Sequence, residues 1–148
     1  LRTAAWELIA FHVHLKSRYS RDPADPESRR WRKAELAAVR DWAKRRKQVA
    51  GPRVRFLLVG DFNTPFEDAL FAGLRGEPVS WRPVPVSDGG GASWTYHHRK
   101  TDRYSRIDGF WTLARDGGLF KDIGLFPERE VVTGGSDHRL VGIRMVDP

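Results

Sequence analysis

The chain has no cysteine, and its single methionine lies at position 145, while position 1 is a leucine. Without thiols there is no disulfide framework and no thiolate zinc site. The same absence leaves the redox compartment unmarked, so localisation is unknown from sequence. No apolar run approaches the ~20 residues of a membrane helix, and no signal-peptide pattern opens the chain. A translation product normally begins with Met, so a start at Leu1 leads us to expect that the natural N-terminus precedes this sequence.

What is present is a foldable, basic chain. Its 148 residues are enough for one domain, or part of one, with a real core. A hydrophobic content of 40% and six tryptophans argue against disorder. The formal charge of +7 fits an anionic partner, such as nucleic acid or a phosphorylated substrate. A merely solubilising basic surface would give the same number. No internal repeat or interdomain linker is visible.

The central stretch is Leu57–Pro65, Leu-Leu-Val-Gly-Asp-Phe-Asn-Thr-Pro. Val54 to Val59 is a nearly unbroken apolar run, short enough for a strand buried on both faces. Gly60 is expected to end it in a tight turn, and Thr64-Pro65-Phe66-Glu67 reads as a capping box that opens a helix through Phe71 to about Gly73. Asp61 and Asn63, two residues apart between strand and helix, suit metal or phosphate chemistry. They equally suit an Asx turn joining the two elements.

Elsewhere, Glu7 to Lys16 alternates as a strand, with Ile9, Phe11, Val13 and Leu15 on one face and His12 and His14 on the other. His14 falls near its strand end, as Asp61 does. A loop with Pro23 and Pro26 leads to a helix predicted over Glu27–Val49, with Trp31, Ala34, Ala38 and Trp42 on one face. Its many cations, including Arg32 and Lys44 to Lys47, read as a solvated outer face or, alternatively, a nucleic-acid stripe. Residues 75–92 read as loop around a short strand at Val84–Val86, followed by a strand at Ser93–Tyr96. His97 to Lys100 forms a cationic loop whose two histidines, as neighbours on extended chain, should point apart. Further strands are predicted at Arg106–Leu113, Val131–Thr133 and Arg139–Val146. Asp108 interrupts an apolar strand, which is costly unless the carboxylate is paired.

Taken in order, His14 in His-Leu-Lys-Ser, Asp61 and Asn63 in Gly-Asp-Phe-Asn, Asp108 in Arg-Ile-Asp, and Asp137 and His138 in Ser-Asp-His form a set. This set resembles the endonuclease/exonuclease/phosphatase superfamily, with its deoxyribonuclease-I-like fold, from the His14 strand to the end of the chain. The resemblance implies a four-layer α/β sandwich of which residues 1–148 supply the C-terminal part. It implies a divalent metal, magnesium or alternatively manganese, and hydrolysis of a phosphoester. By the same resemblance Asp61 orients or deprotonates the attacking water, and Asn63 hydrogen-bonds a phosphoryl oxygen. Asp137 lies close to the metal, with Asp61 and Asn63 as further ligands. His138 is the catalytic histidine, Asp108 its paired carboxylate, and His14 a second histidine facing the phosphate. The family's asparagine and principal metal-ligand glutamate, and the carboxylate partner of the residue matching His14, have no counterpart in this chain. The expected substrate is nucleic acid, cleaved by a nuclease-like phosphodiesterase. The alternatives are a phospholipid or sugar-phosphate esterase and, from a different class, a non-catalytic basic nucleic-acid-binding module.

Overall fold

The computed structural model describes residues 6–76, 79–125 and 135–146. Strand β1 (Glu7–His14) is followed by α1 (Arg29–Val49), β2 (Val54–Asp61), a 3-10 helix at Ala69–Leu74 and β3 (Trp81–Pro83). Then come β4 (Tyr96–His98), β5 (Arg103–Ser105), β6 (Asp108–Leu113), a second 3-10 helix at Ala114–Leu119, β7 (Phe120–Leu125) and β8 (Val141–Met145). The main sheet runs β1-β2-β6-β3, with β1 and β2 parallel and the other neighbours antiparallel. Strands β4 and β5 form a hairpin, and β7 pairs with β8 in a separate two-stranded sheet.

The strand period of two assigns alternate residues of the main sheet to two cores. Phe56 and Leu58 of β2, Trp111 and Leu113 of β6, and Phe11 and Val13 of β1 pack with Leu36 and Ala43 of α1. Leu57 and Val59 of β2 and Phe110 of β6 instead meet Phe120 and the apolar residues of β8. The layers are therefore helix, mixed sheet and second sheet, as an α/β sandwich requires.

Several local expectations are corrected. Gly60 does not end its strand. It lies inside β2 with φ +144°, and a Cβ there would sit 1.8 Å from the carbonyl oxygen of Val13. Glycine is needed for the close approach of β1, not for a turn. Thr64 does not open an α-helix: it is buried, and its hydroxyl has no hydrogen-bond partner. The helical segment starts later and is 3-10, capped by Asp68, whose carboxylate accepts from the Leu70 N–H at 2.7 Å. Arg29 of α1 grips both oxygens of the same carboxylate, at 2.6 and 2.9 Å, and holds its pKa down to about 2.

The helix α1 forms as predicted, but its buried residues are Arg32, Leu36 and Ala43, while Trp31 is 64% exposed. Arg32 is not on the solvated face; its guanidinium donates to the carbonyls of Lys16 and Glu27, tying the β1–α1 loop to the helix. The first-turn N–H groups of Arg29 and Arg30 are satisfied by the buried Asp25 carboxylate. Val84 and Val86 are buried but belong to no strand, β3 lying just before them. Two prolines, Pro83 and Pro85, lack the N–H groups a ladder needs. The strand expected at Ser93–Tyr96 lies at Tyr96–His98, so His97 and His98 belong to a hairpin, and that expected from Arg106 begins at Asp108. The strand expected at Val131–Thr133 falls outside the described residues.

Candidate active site

The register of the main sheet brings three polar residues abreast. His14 is opposite Asp61 across the parallel β1–β2 pair, and Asp61 is opposite Asp108 across the antiparallel β2–β6 pair. All three have the parity of the inter-sheet face, so they continue the row of Val59 and Phe110 at the sheet's end. The Nε2 of His14 lies 3.6 Å from Oδ2 of Asp61.

Asp61 is fixed by its neighbour. Its Oδ1 accepts the Asn63 N–H at 2.7 Å and its Oδ2 the Asn63 amide at 3.1 Å. Asn63 takes φ +48°, a left-handed conformation that asparagine tolerates, and its Nδ2 also donates to the Leu15 carbonyl. The strand-to-turn junction is thus an Asx turn that also aims a carboxylate.

His138 reaches the same rim from the segment before β8. Its Nδ1 is 2.9 Å from Oδ2 of Asp108, while its Nε2 is 4.0 Å from Oδ1 of Asp137. The imidazole is also framed by the ring of Tyr96, 4.8 Å away between centroids. Thr95 secures the other member of the pair: its buried hydroxyl accepts the N–H groups of both Ile107 and Asp108 at 3.0 Å. Thr95 and Tyr96 hold site residues in place, yet sequence reading saw in them only a short strand. A lone Thr-Tyr in extended chain carries no spacing signal for such a role.

The electrostatics follow from this packing. The hydrogen bond to Asp108 raises the His138 pKa above its ordinary value against the opposing effect of burial, with Asp61 and Asp137 adding to the rise. Burial is the main cause that raises the Asp61 pKa; the Asn63 N–H opposes it, and Asp108 adds to it. One ligand atom from each of Asp61, Asp108 and His138 falls within a 4.8 Å group that could hold a metal ion. The carboxylate oxygens suit a hard divalent cation, which would offset the cost of burying Asp61 beside a second acid. His138 fits less well as a ligand, because its Nδ1 is committed to Asp108 and its protonated form is favoured. Asn63 touches Asp61 directly; Asp137, half exposed, stands on the far side of His138. All six residues singled out in the sequence therefore gather at one rim. His97 and His98 diverge as expected, to Asp102 and Thr101 respectively.

This fold is deoxyribonuclease-I-like. It is similar to a mannosyl-6-phosphatase from Bacteroides thetaiotaomicron, with a TM-score of 0.61 and 17% identity over 97% of this chain and 53% of that one. It is also similar to truncated TDP2 of Caenorhabditis elegans, with a TM-score of 0.51 and 16% identity over 74% of this chain and 42% of the other. The chain thus spans about half the length of these solved structures. No family model and no curated protein matches the sequence.

Proposed function

We propose that this chain carries catalytic residues of a divalent-metal-dependent phosphoester hydrolase, a nuclease-like phosphodiesterase in which water attacks phosphorus. The observation that carries this reading is the Asp108–His138 contact of 2.9 Å at a rim shared with Asp61. In it, Asp61 accepts a proton from the attacking water. His138, whose protonated form Asp108 favours, donates from Nε2 to a phosphoryl oxygen, and Asp108 is a positioning residue for that imidazole. Both N–H bonds of the Asn63 amide are committed, to Leu15 and Asp61, so its contact with a phosphoryl oxygen exchanges the one to Asp61. His14, 73% exposed, offers a second donor at the rim. A magnesium or manganese ion held by Asp61 beside Asp108, with Asn63 and Asp137 as the further oxygen donors that the resemblance implies, would supply neutralisation of charge on the phosphoryl oxygens.

Residues 1–148 are read as the C-terminal part of one such domain, in keeping with their coverage of about half of each similar structure. In the natural reading frame, a preceding segment would supply the asparagine and glutamate that the resemblance implies; a frame without them would sink that part. The assay that tests the function offers DNA, RNA, a phospholipid and a sugar phosphate side by side to the protein in its full natural frame. Cleavage in magnesium that stops in chelator is expected. Tight binding of DNA with no cleavage of any of the four, across several metals, would favour a non-catalytic binding module. The mannosyl-6-phosphatase among the similar structures makes a sugar phosphate the second substrate to weigh.

A further inference from the structure

The β4–β5 hairpin borders the rim through Tyr96. Across the hairpin Tyr96 is opposite Ser105 and His98 opposite Arg103, and on its other side Tyr96 forms an antiparallel bridge with His138. Directly opposed residues share a face, and so do residues two apart on one strand. Ser105, Tyr96 and His138 therefore stand in one row, and Arg103 and His98 in the next, on the same side. The rings bear out this parity. Tyr96 lies 4.8 Å from His138, whereas His97 and Tyr104 stack on each other at 4.2 Å on the opposite side. One groove of about 760 Å³ is lined by Asn63, Tyr96, His98, Arg103, Asp137 and His138, so the second row opens into the same space as the rim.

The second row is cationic and uncommitted. Arg103 is exposed, and its guanidinium has no hydrogen bond or ion pair among the described residues. His98 engages the Thr101 hydroxyl through Nδ1 at 2.7 Å, which leaves Nε2 for a ligand. The other arginine of the groove, Arg18, is paired with Glu27. Asp137, the second acid on the groove's lining, stands beside His138 and not beside Arg103. Arg103 is two strands over and two residues along from His138, about 12 Å between α-carbons at ordinary strand spacings. Such a span suits two phosphates rather than one. The hydrolytic chemistry uses neither Arg103 nor His98. A neighbouring cavity of about 600 Å³ shares Tyr96, His98 and Asp137 and adds Arg99 and Lys100, so positive charge continues past the second row.

We propose that Arg103 and His98 form a subsite for a second phosphate of the substrate, beyond the one that water attacks. The proposal rests on the phosphoester reading of the rim and narrows its substrate to a compound with at least two phosphate groups. A guanidinium presents paired N–H donors that match phosphate oxygens, and it stays charged throughout the physiological pH range. Recognition of this kind reads charge and not the base or the sugar, so a polynucleotide strand and a bisphosphorylated sugar both supply the chemistry. A sugar monophosphate lacks the group that the subsite binds.

The test is a binding titration in chelator, where nothing is cleaved, with the protein in its full natural frame. A thymidine trinucleotide with two phosphodiester links is compared with trinucleotides in which either link is an uncharged methylphosphonate. Fructose 1,6-bisphosphate is compared with fructose 6-phosphate in the same way. At least one two-phosphate ligand should bind about five- to twentyfold tighter than its one-phosphate counterpart, and the series in which it does so identifies the source. Arg103→Gln should remove that advantage, and for the trinucleotide the slope of log affinity against log salt should become shallower by about 0.7. Because the Arg103 guanidinium ties down no other described residue, the thermal midpoint should stay where it is. His98→Gln, on the facing strand, should reduce the same advantage and gives a second reading. No advantage for a second phosphate in either series, or an advantage intact in Arg103→Gln, would overturn the proposal. A second-phosphate advantage without hydrolysis would count against the enzyme reading alone. Hydrolysis without that advantage would count against this one alone.

Discussion

Asp61 and His138 are displaced in the same direction by different causes: burial raises the carboxylate, and a paired acid raises the imidazole. For His138 the sign is clear. Its folded pKa lies above the ordinary 6.5, so its pairing stabilises the fold fully below that pH, and the contribution is lost as pH rises through the folded value. In metal-free protein, NMR titration should place the His138 midpoint above 6.5 and return it downward in Asp108→Asn; an unmoved midpoint would show that Asp108 does not control it. If the two act as one unit in catalysis, Asp108→Asn and His138→Ala should each cost on the order of a hundredfold in rate. The double variant should then lose little more than either single one, with stability checked in parallel. Losses that multiply would mean independent residues.

Among the elements, those with a strong period were legible in the sequence. The β1 alternation, the long amphipathic helix and the apolar run of β2 all form where expected. Misreadings arose where tertiary contacts overrode local signals. The Thr64 capping pattern lost to Asp68, which Arg29 of a distant helix holds in place. The buried face of α1 is turned from the tryptophan stripe because Arg32 finds two carbonyl acceptors inside, a satisfaction that hydropathy cannot register. The β5 strand, Arg-Tyr-Ser, carries no apolar alternation and is defined only by its pairing with β4. At the site, motif order revealed the polar residues that gather at the rim, but Thr95 and Tyr96 became visible only through contact. Gly60 gives the sharpest test at this scale. Gly60→Ala places a Cβ 1.8 Å from the Val13 carbonyl oxygen at a φ that side chains rarely adopt. It should destabilise the protein by about 3 kcal/mol or more, read by urea denaturation. A loss below about 1 kcal/mol would mean that β1 shifts away without penalty.

For the molecule as a whole, folding gathers acidic side chains at one rim of a chain whose formal charge is +7. A divalent cation that binds there and not to the unfolded chain must raise the thermal midpoint. At a hundredfold excess over its dissociation constant the gain is about 2.7 kcal/mol. Magnesium should therefore stabilise the protein in a scanning measurement, and Asp61→Asn should abolish most of that gain; equal stabilisation of both would place the cation elsewhere. The alignment of His14, Asp61 and Asp108 on neighbouring strands has one more consequence. Their row is an extension of the inter-sheet core, so hydrophobic packing and site geometry obey the same odd-even count along each strand. Inserting one residue between Leu57 and Asp61 inverts that count: the carboxylate turns toward the helix layer as apolar side chains turn out of it. Inserting two restores the facing but displaces the carboxylate along the strand. Single-residue insertions are thereby barred from the strands of the main sheet and confined to the loops that join them.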